Sequence, residues 1–128
     1  MNNLLLDTCG LIWLAQGGGE LKKNTIKLID SAKLVYISSI SAWEISMLCY
    51  KKRISLPTSP EEWFTSIIES QDIKVIDLSP EIAFASNNLP WHHNDPADRF
   101  IIATATEYNL TIVTRDKEFK KYGIEVLR

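Results

Sequence analysis

Short apolar runs at residues 3–6, 34–37, 74–78, 111–113 and 124–127 punctuate this sequence, and between them lie stretches with the apolar spacing of helices. Runs this brief predict strands rather than helices. Strands that alternate with helices along a whole chain imply a mainly parallel sheet joined by right-handed crossovers. At 128 residues the chain has the length of one domain, over 1–128. A domain of that size buries roughly two-thirds of the surface its unfolded chain exposes, which is enough for a single well-formed core.

The helical stretches carry recognisable starts and stops. Residues 11–15 give a turn or two, and Gly17, Gly18 and Gly19 read as a plain loop, since the spacing of a phosphate-binding loop is absent;. Residues 21–32 place Leu21, Ile26, Leu28, Ile29 and Ala32 at amphipathic spacing;. Ser41 to Glu44 fits S-x-x-E, a capping box that would open a helix running to about Lys52;. Pro60 and Ser79 mark two more helix starts, and a short helix through Tyr122 precedes the last strand;.

The stretch His93 to Ala105, HNDPADRFIIATA, is the most informative. Asp95 suits the N-cap position and Pro96 the first helical residue, which puts Asp98 at the third position with its side chain directed back toward free backbone N–H groups;. Capping alone accounts for both acids. Asp7, Glu44 and Asp116 nevertheless sit in comparable places: after the first strand, in the helix after the second, and after the fourth. All strands of a parallel sheet end on one edge, so these four acids, Asp7, Glu44, Asp98 and Asp116, can meet there. Two carboxylates about 4 Å apart repel by about 4 kcal/mol at an effective dielectric of about 20, so a cluster of them requires protons or a cation. Oxygen ligands without sulfur favour Mg²⁺ or Mn²⁺. At this point capping and metal binding both remain open readings.

Composition narrows the rest. With 14 basic against 16 acidic residues, the net charge of −2 excludes a global positive field for nucleic acid, so any such contact must be local;. Arg99 and Arg115 flank the acids, and Lys51 and Lys52 close the third helix, as candidate phosphate contacts. No apolar run reaches the ~20 residues of a membrane span, and no basic region precedes the apolar N-terminus, so a cytoplasmic protein without a membrane partner is expected;. Cys9 and Cys49 are expected as reduced thiols packed like small apolar groups;. His92 and His93, lacking a third nitrogen or sulfur ligand, are expected as a solvated loop pair;. A phosphoacceptor receiver domain would need an adjacent acid pair after the first strand and a lysine after the last, and neither is present.

The combination LLLDT, SAWEI, DPADRFIIATA and LTIVTRD resembles the PIN-domain ribonucleases, and closely the VapC toxins of bacterial toxin–antitoxin modules, over essentially the whole chain. The resemblance implies a PIN-like three-layer α/β/α fold with four or five strands in a mainly parallel central sheet. It implies an endoribonuclease that uses one or two Mg²⁺ (or Mn²⁺) ions and leaves 5′-phosphate and 3′-hydroxyl ends. It assigns Asp7, Glu44, Asp98 and Asp116 as the catalytic, metal-binding acids and Thr114 as a hydroxyl beside them, with Thr8 and Asp95 in supporting places. It further implies a homodimer and a VapB-like antitoxin whose helix would lie on an apolar groove of Leu11, Trp13, Leu14, residues 51–56 and the Trp63/Phe64 helix. A non-catalytic PIN-fold scaffold for RNA or protein, or a PIN nuclease outside a toxin–antitoxin pair, are the alternatives.

Overall fold

The computed structural model describes residues 3–128. Its strands are β1 (Asn3–Leu6), β2 (Leu34–Ser38), β3 (Ile73–Ile76), β4 (Thr111–Val113) and β5 (Val126–Leu127), all parallel, in the order β3-β2-β1-β4-β5. Side chains alternate across a strand. Leu4, Leu6, Val35, Ile37 and Val113 therefore enter one core, while Leu5 and Ile112 enter another on the opposite face. The first core is closed by α1 (Thr8–Ala15), α2 (Lys23–Ser31), α3 (Ser39–Tyr50) and α4 (Pro60–Ser70), through Leu11, Leu14, Ile29, Ile45, Trp63 and Phe64. The second is closed by α5 (Pro80–Asn88), α6 (Pro96–Tyr108) and a 3-10 helix, Lys117–Tyr122, through Ile82, Ile101, Ile102 and Phe119. The result is the expected three-layer α/β/α architecture with five strands. Among the described residues no helix is long and apolar enough to cross a membrane.

Chain order runs outward from β1 through β2 to β3, then resumes on the other side of β1 with β4 and β5. The winding thus reverses between β1 and β4. Ligand crevices in open parallel sheets form at such a switch, beyond the carboxyl ends of the strands. Asp7 follows β1 there, and Thr114 and Asp116 follow β4.

Several helix starts fall as the sequence predicts. The hydroxyls of Ser59 and Ser79 accept from Glu62 and Ile82 N–H, and Asp95 accepts from Ala97 N–H at 2.9 Å with Pro96 opening α6;. Two differ. Helix α1 starts at Thr8, because Asp7 caps it by accepting from Gly10 N–H at 2.7 Å. Helix α3 starts at Ser39 with Ser38 as cap, so Ser41 to Glu44 is not a capping box; Ser41 is wholly buried one turn in, and Glu44 is free to face another helix. This helix ends at Tyr50, and Lys51 and Lys52 lie exposed beyond it. The glycine run forms the expected connection, as a turn. Gly19 has φ +50, and a Cβ on it would come within 2.7 Å of the Trp13 ring;.

Arg99 is the largest departure. It is 3% exposed and points away from the acids, because the residue after Asp98 is turned about 100° around the helix;. Its guanidinium donates to the carbonyls of Ser86, Leu89, Pro90 and His93 at 2.6–3.0 Å, with Trp91 stacked at 3.5 Å. Two of these carbonyls belong to the last turn and the cap of α5, where unpaired oxygens and the negative end of the helix dipole favour a cation;. Arg99 is therefore a structural clamp, not a phosphate contact. An ammonium cannot reach this fork of acceptors. Arg99→Lys is expected to lower unfolding free energy by about 3 kcal/mol in urea titration, since carbonyls are left buried and unpaired.

Candidate active site

Asp7, Glu44, Asp98 and Asp116 line one pocket of about 260 Å³, together with Thr8, Cys9, Trp13 and Arg115. Four separate segments deliver the acids: the end of β1, the middle of α3, the first turn of α6 and the turn after β4. One donor atom each of Glu44, Asp95 and Asp98 lie within 4.8 Å of one another, as do those of His93, Asp98 and Asp116. Asp98 belongs to both groups and so occupies the middle of the arrangement. No backbone N–H bond accounts for its position; its Oδ2 faces His93 Nε2 at 3.1 Å.

The surrounding hydroxyls orient these carboxylates. Thr8 Oγ1 donates to Glu44 and lies 2.9 Å from the Ser41 hydroxyl. Thr114, fully buried, accepts from Asp116 N–H at 3.0 Å and donates to Asp7. Asp116 Oδ1 in turn accepts from Glu118 N–H at 2.9 Å. Gly10 is tightly enclosed beside Asp7: a Cβ there would sit 3.0 Å from Asp7 Oδ1 and 3.2 Å from the Val113 carbonyl. The carbonyl cannot yield, so Gly10→Ala is expected to displace the Asp7 carboxylate and to cost about 1–3 kcal/mol of stability, read by thermal melts of the two proteins.

Burial and mutual repulsion shape the protonation of the pocket. Asp7 is pushed up from 3.8 to about 6, first by burial, then by the charges of Glu44 and Asp116; the Thr114 hydroxyl and Gly10 N–H pull the other way. Asp98 is pushed up to about 7 by burial and by Asp95, with His93 opposing. Glu44 is raised, again mainly by burial, against the Thr8 hydroxyl. Although Cys9 is exposed as a residue, partial desolvation of its sulfur and the neighbouring acids push the thiol up to about 11, which removes it as a nucleophile;. The site is therefore short of positive charge. Arg115 stands on its wall but is engaged with Glu20, through its carbonyl at 3.1 Å and its carboxylate at 3.8 Å. Hard carboxylate oxygens with unmet negative charge are a donor set suited to a divalent cation.

The structure thus gathers Asp7, Glu44, Asp98 and Asp116 with Thr8, Thr114 and Asp95, and places Arg115 at the rim. Arg99 is elsewhere, and Lys51 and Lys52 lie past the end of α3, outside the pocket lining. Three neighbours of the acids are placed otherwise than the sequence suggests. Cys9 is exposed and lines the pocket rather than packing as an apolar group. Trp13, one turn further along α1, joins it. His93 is not solvated: its side chain is 14% exposed and its Nε2 lies 2.8 Å from Asp116 Oδ2. Its position two residues before the Asp95 cap was the available signal.

The family model for the PIN domain matches residues 4–125, and the chain belongs to the PIN-domain family. It is 28% identical over 123 residues to Ribonuclease VapC22 of Mycobacterium tuberculosis (strain ATCC 25618 / H37Rv), covering 95% of this chain and 93% of that protein. In fold it is similar to a chain of VapBC2 from Rickettsia felis bound to a DNA fragment from its promoter, with TM-score 0.70 and 20% identity over 98% of this chain and 97% of the other. A chain of DNA-bound VapBC from Salmonella typhimurium gives TM-score 0.68 and 24% identity, over 98% and 97% of the two chains.

Proposed function

We propose that this protein is a divalent-metal-dependent endoribonuclease that acts as the toxin of a toxin–antitoxin pair. The observation that carries the reading is the convergence of Asp7, Glu44, Asp98 and Asp116 at the switch between β1 and β4, in a pocket whose burial holds carboxylates well above their ordinary range. Membership in the PIN-domain family and the similarity to Ribonuclease VapC22 support the class of reaction.

Asp7, Glu44 and Asp98, with Asp116 beside them, would hold the ion, and Mg²⁺ or Mn²⁺ suits their oxygens. When bound, the ion supplies hydroxide near neutral pH and offsets charge on the phosphate. The residues of the chain supply geometry. Gly10 N–H and Thr114 fix Asp7, Thr8 fixes Glu44, and the α6 start presents Asp98. Water adds to phosphorus in line as the bond to the 3′ oxygen breaks, leaving a 5′-phosphate and a 3′-hydroxyl. Arg115 at the rim suits a phosphate oxygen once released from Glu20;.

The apolar surface available to a partner segment is narrower than the sequence suggests. Leu11 and Leu14 are buried in the core, which leaves Trp13, Ile54, Leu56, Trp63 and Phe64, half-buried, as the apolar border for an antitoxin segment. Trp13 also lines the acidic pocket, so a segment seated there would reach the site. Cleavage of structured RNA with Mg²⁺, abolished by EDTA and by co-purification with the product of the neighbouring gene, is the expected result. Cleavage that persists in EDTA would remove the metal-dependent reading.

A further inference from the structure

His93, Asp98 and Asp116 bring three donor atoms within 4.8 Å of one another, close enough to share a second cation. His93 Nε2 lies 2.8 Å from Asp116 Oδ2 and 3.1 Å from Asp98 Oδ2, and it can meet them as a ligand shared through a metal or as a hydrogen-bond donor. The other ring nitrogen decides. A histidine that ligates through one nitrogen gives the proton of the other to an acceptor. Here Nδ1 faces the backbone N–H of Asp95 at 3.2 Å, which is a donor. Nδ1 therefore keeps its lone pair, and the ring proton sits on Nε2, between the two carboxylates.

The loop leaves the ring little freedom to adopt another role. His93 N–H donates to the Tyr122 hydroxyl at 2.8 Å, and its carbonyl accepts from the buried Arg99 at 3.0 Å. The Tyr122 hydroxyl donates in turn to Pro90 O, and the His93 ring meets the Phe119 ring edge-on at 5.8 Å. Moving the proton to Nδ1 would set it against Asp95 N–H, at the residue whose carboxylate caps α6.

We propose that His93 is a positioning residue whose Nε2–H ties Asp116 to Asp98 and fills the second cation position, so that the pocket takes a single divalent ion on its Asp7, Glu44 and Asp98 side. This rests on the metal-dependent reading above. It makes Asp116 a residue oriented by a hydrogen bond rather than a second metal bridge.

Mn²⁺ counting by electron paramagnetic resonance and calorimetry tests it on the wild type, His93→Ala and His93→Gln. One ion per chain is expected in the wild type and in His93→Gln, whose amide N–H can still donate to the carboxylates. Two are expected in His93→Ala. Nitrogen–proton correlation spectra of the histidine rings should show Nε2 of His93 protonated both without metal and at Mg²⁺ saturation, and this readout on the wild type stands even if His93→Ala does not fold. Two ions in the wild type, a count that stays at one in His93→Ala, an ion lost or bound at least tenfold more weakly in His93→Ala, or loss of the Nε2 proton with Mg²⁺ would each overturn the proposal. No Mn²⁺ bound by the wild type would instead remove the metal-dependent reading itself, and the proposal with it.

Discussion

Asp7→Asn is expected to make the metal-free protein more stable at about pH 7.5 while lowering RNA cleavage by about three orders of magnitude, the several kcal/mol that a bound ion contributes to a phosphoryl transition state. The stability gain follows from the cost of ionising Asp7 in the fold. Its carboxyl rises from 3.8 to about 6 because burial outweighs the hydrogen bonds from Gly10 and Thr114. An acid raised on folding binds its proton more tightly in the native state. Its penalty is therefore absent below 3.8, grows as pH climbs toward 6, and is fully present above that;. At about 1.4 kcal/mol per pH unit the penalty approaches 3 kcal/mol for a residue only 7% exposed;. Asparagine has the same shape, can still accept from Gly10 N–H, and carries no charge. Thermal melts without metal at about pH 7.5 check the first half, and gel-resolved cleavage the second. A variant that melts lower without metal, or that cleaves normally, would remove Asp7 from the site.

The legible parts of this protein were those decided within a few residues. The alternation of Leu4, Leu5 and Leu6, and the Ser79-Pro80 and Asp95-Pro96 starts, need no distant partner to be read. The gathering of four acids was readable because parallel strands share an edge, a consequence of topology rather than of detailed packing. What escaped depended on residues far apart in sequence. The Ser41 to Glu44 spacing suggested a cap, but Ser38 outcompetes it and Thr8, 36 residues from Glu44, takes the carboxylate. Arg99 adjoins Asp98 in sequence and reads as part of the same chemistry, yet helical rotation sends it to the carbonyls at the end of α5. His93 reads as solvated loop in sequence because Tyr122 and Asp116, which hold it, come more than twenty residues later. Local rules find the strands and helix starts; side-chain pairing across elements decides the inner surface of the pocket.

Divalent-ion binding should weaken steeply in mild acid, far more than carboxylates with ordinary properties would allow. Ion and proton compete for the same oxygens, and here the protons are held tightly: Asp98 titrates at about 7 and Asp7 at about 6;. Above about pH 7 affinity should be nearly flat. Between about 7 and 6 Asp98 takes up its proton and affinity should fall up to about tenfold per pH unit; below about 6 both acids compete and the limit is about a hundredfold per unit. The effect on folding stability has the opposite sign in the two forms. Without metal, stability declines as pH rises through the raised values of Asp98 and Asp7, because the native state must give up protons that it holds more tightly than the unfolded chain. With saturating Mn²⁺ that loss is offset, since the ionised oxygens bind the metal only in the fold. The gap between the melting midpoints with and without Mn²⁺ should therefore widen from about pH 5 to about pH 8. Calorimetric titration of Mn²⁺ across that range, paired with melts, measures both. Affinity unchanged down to about pH 5 would mean that the ion, if bound at all, does not sit on Asp7 and Asp98.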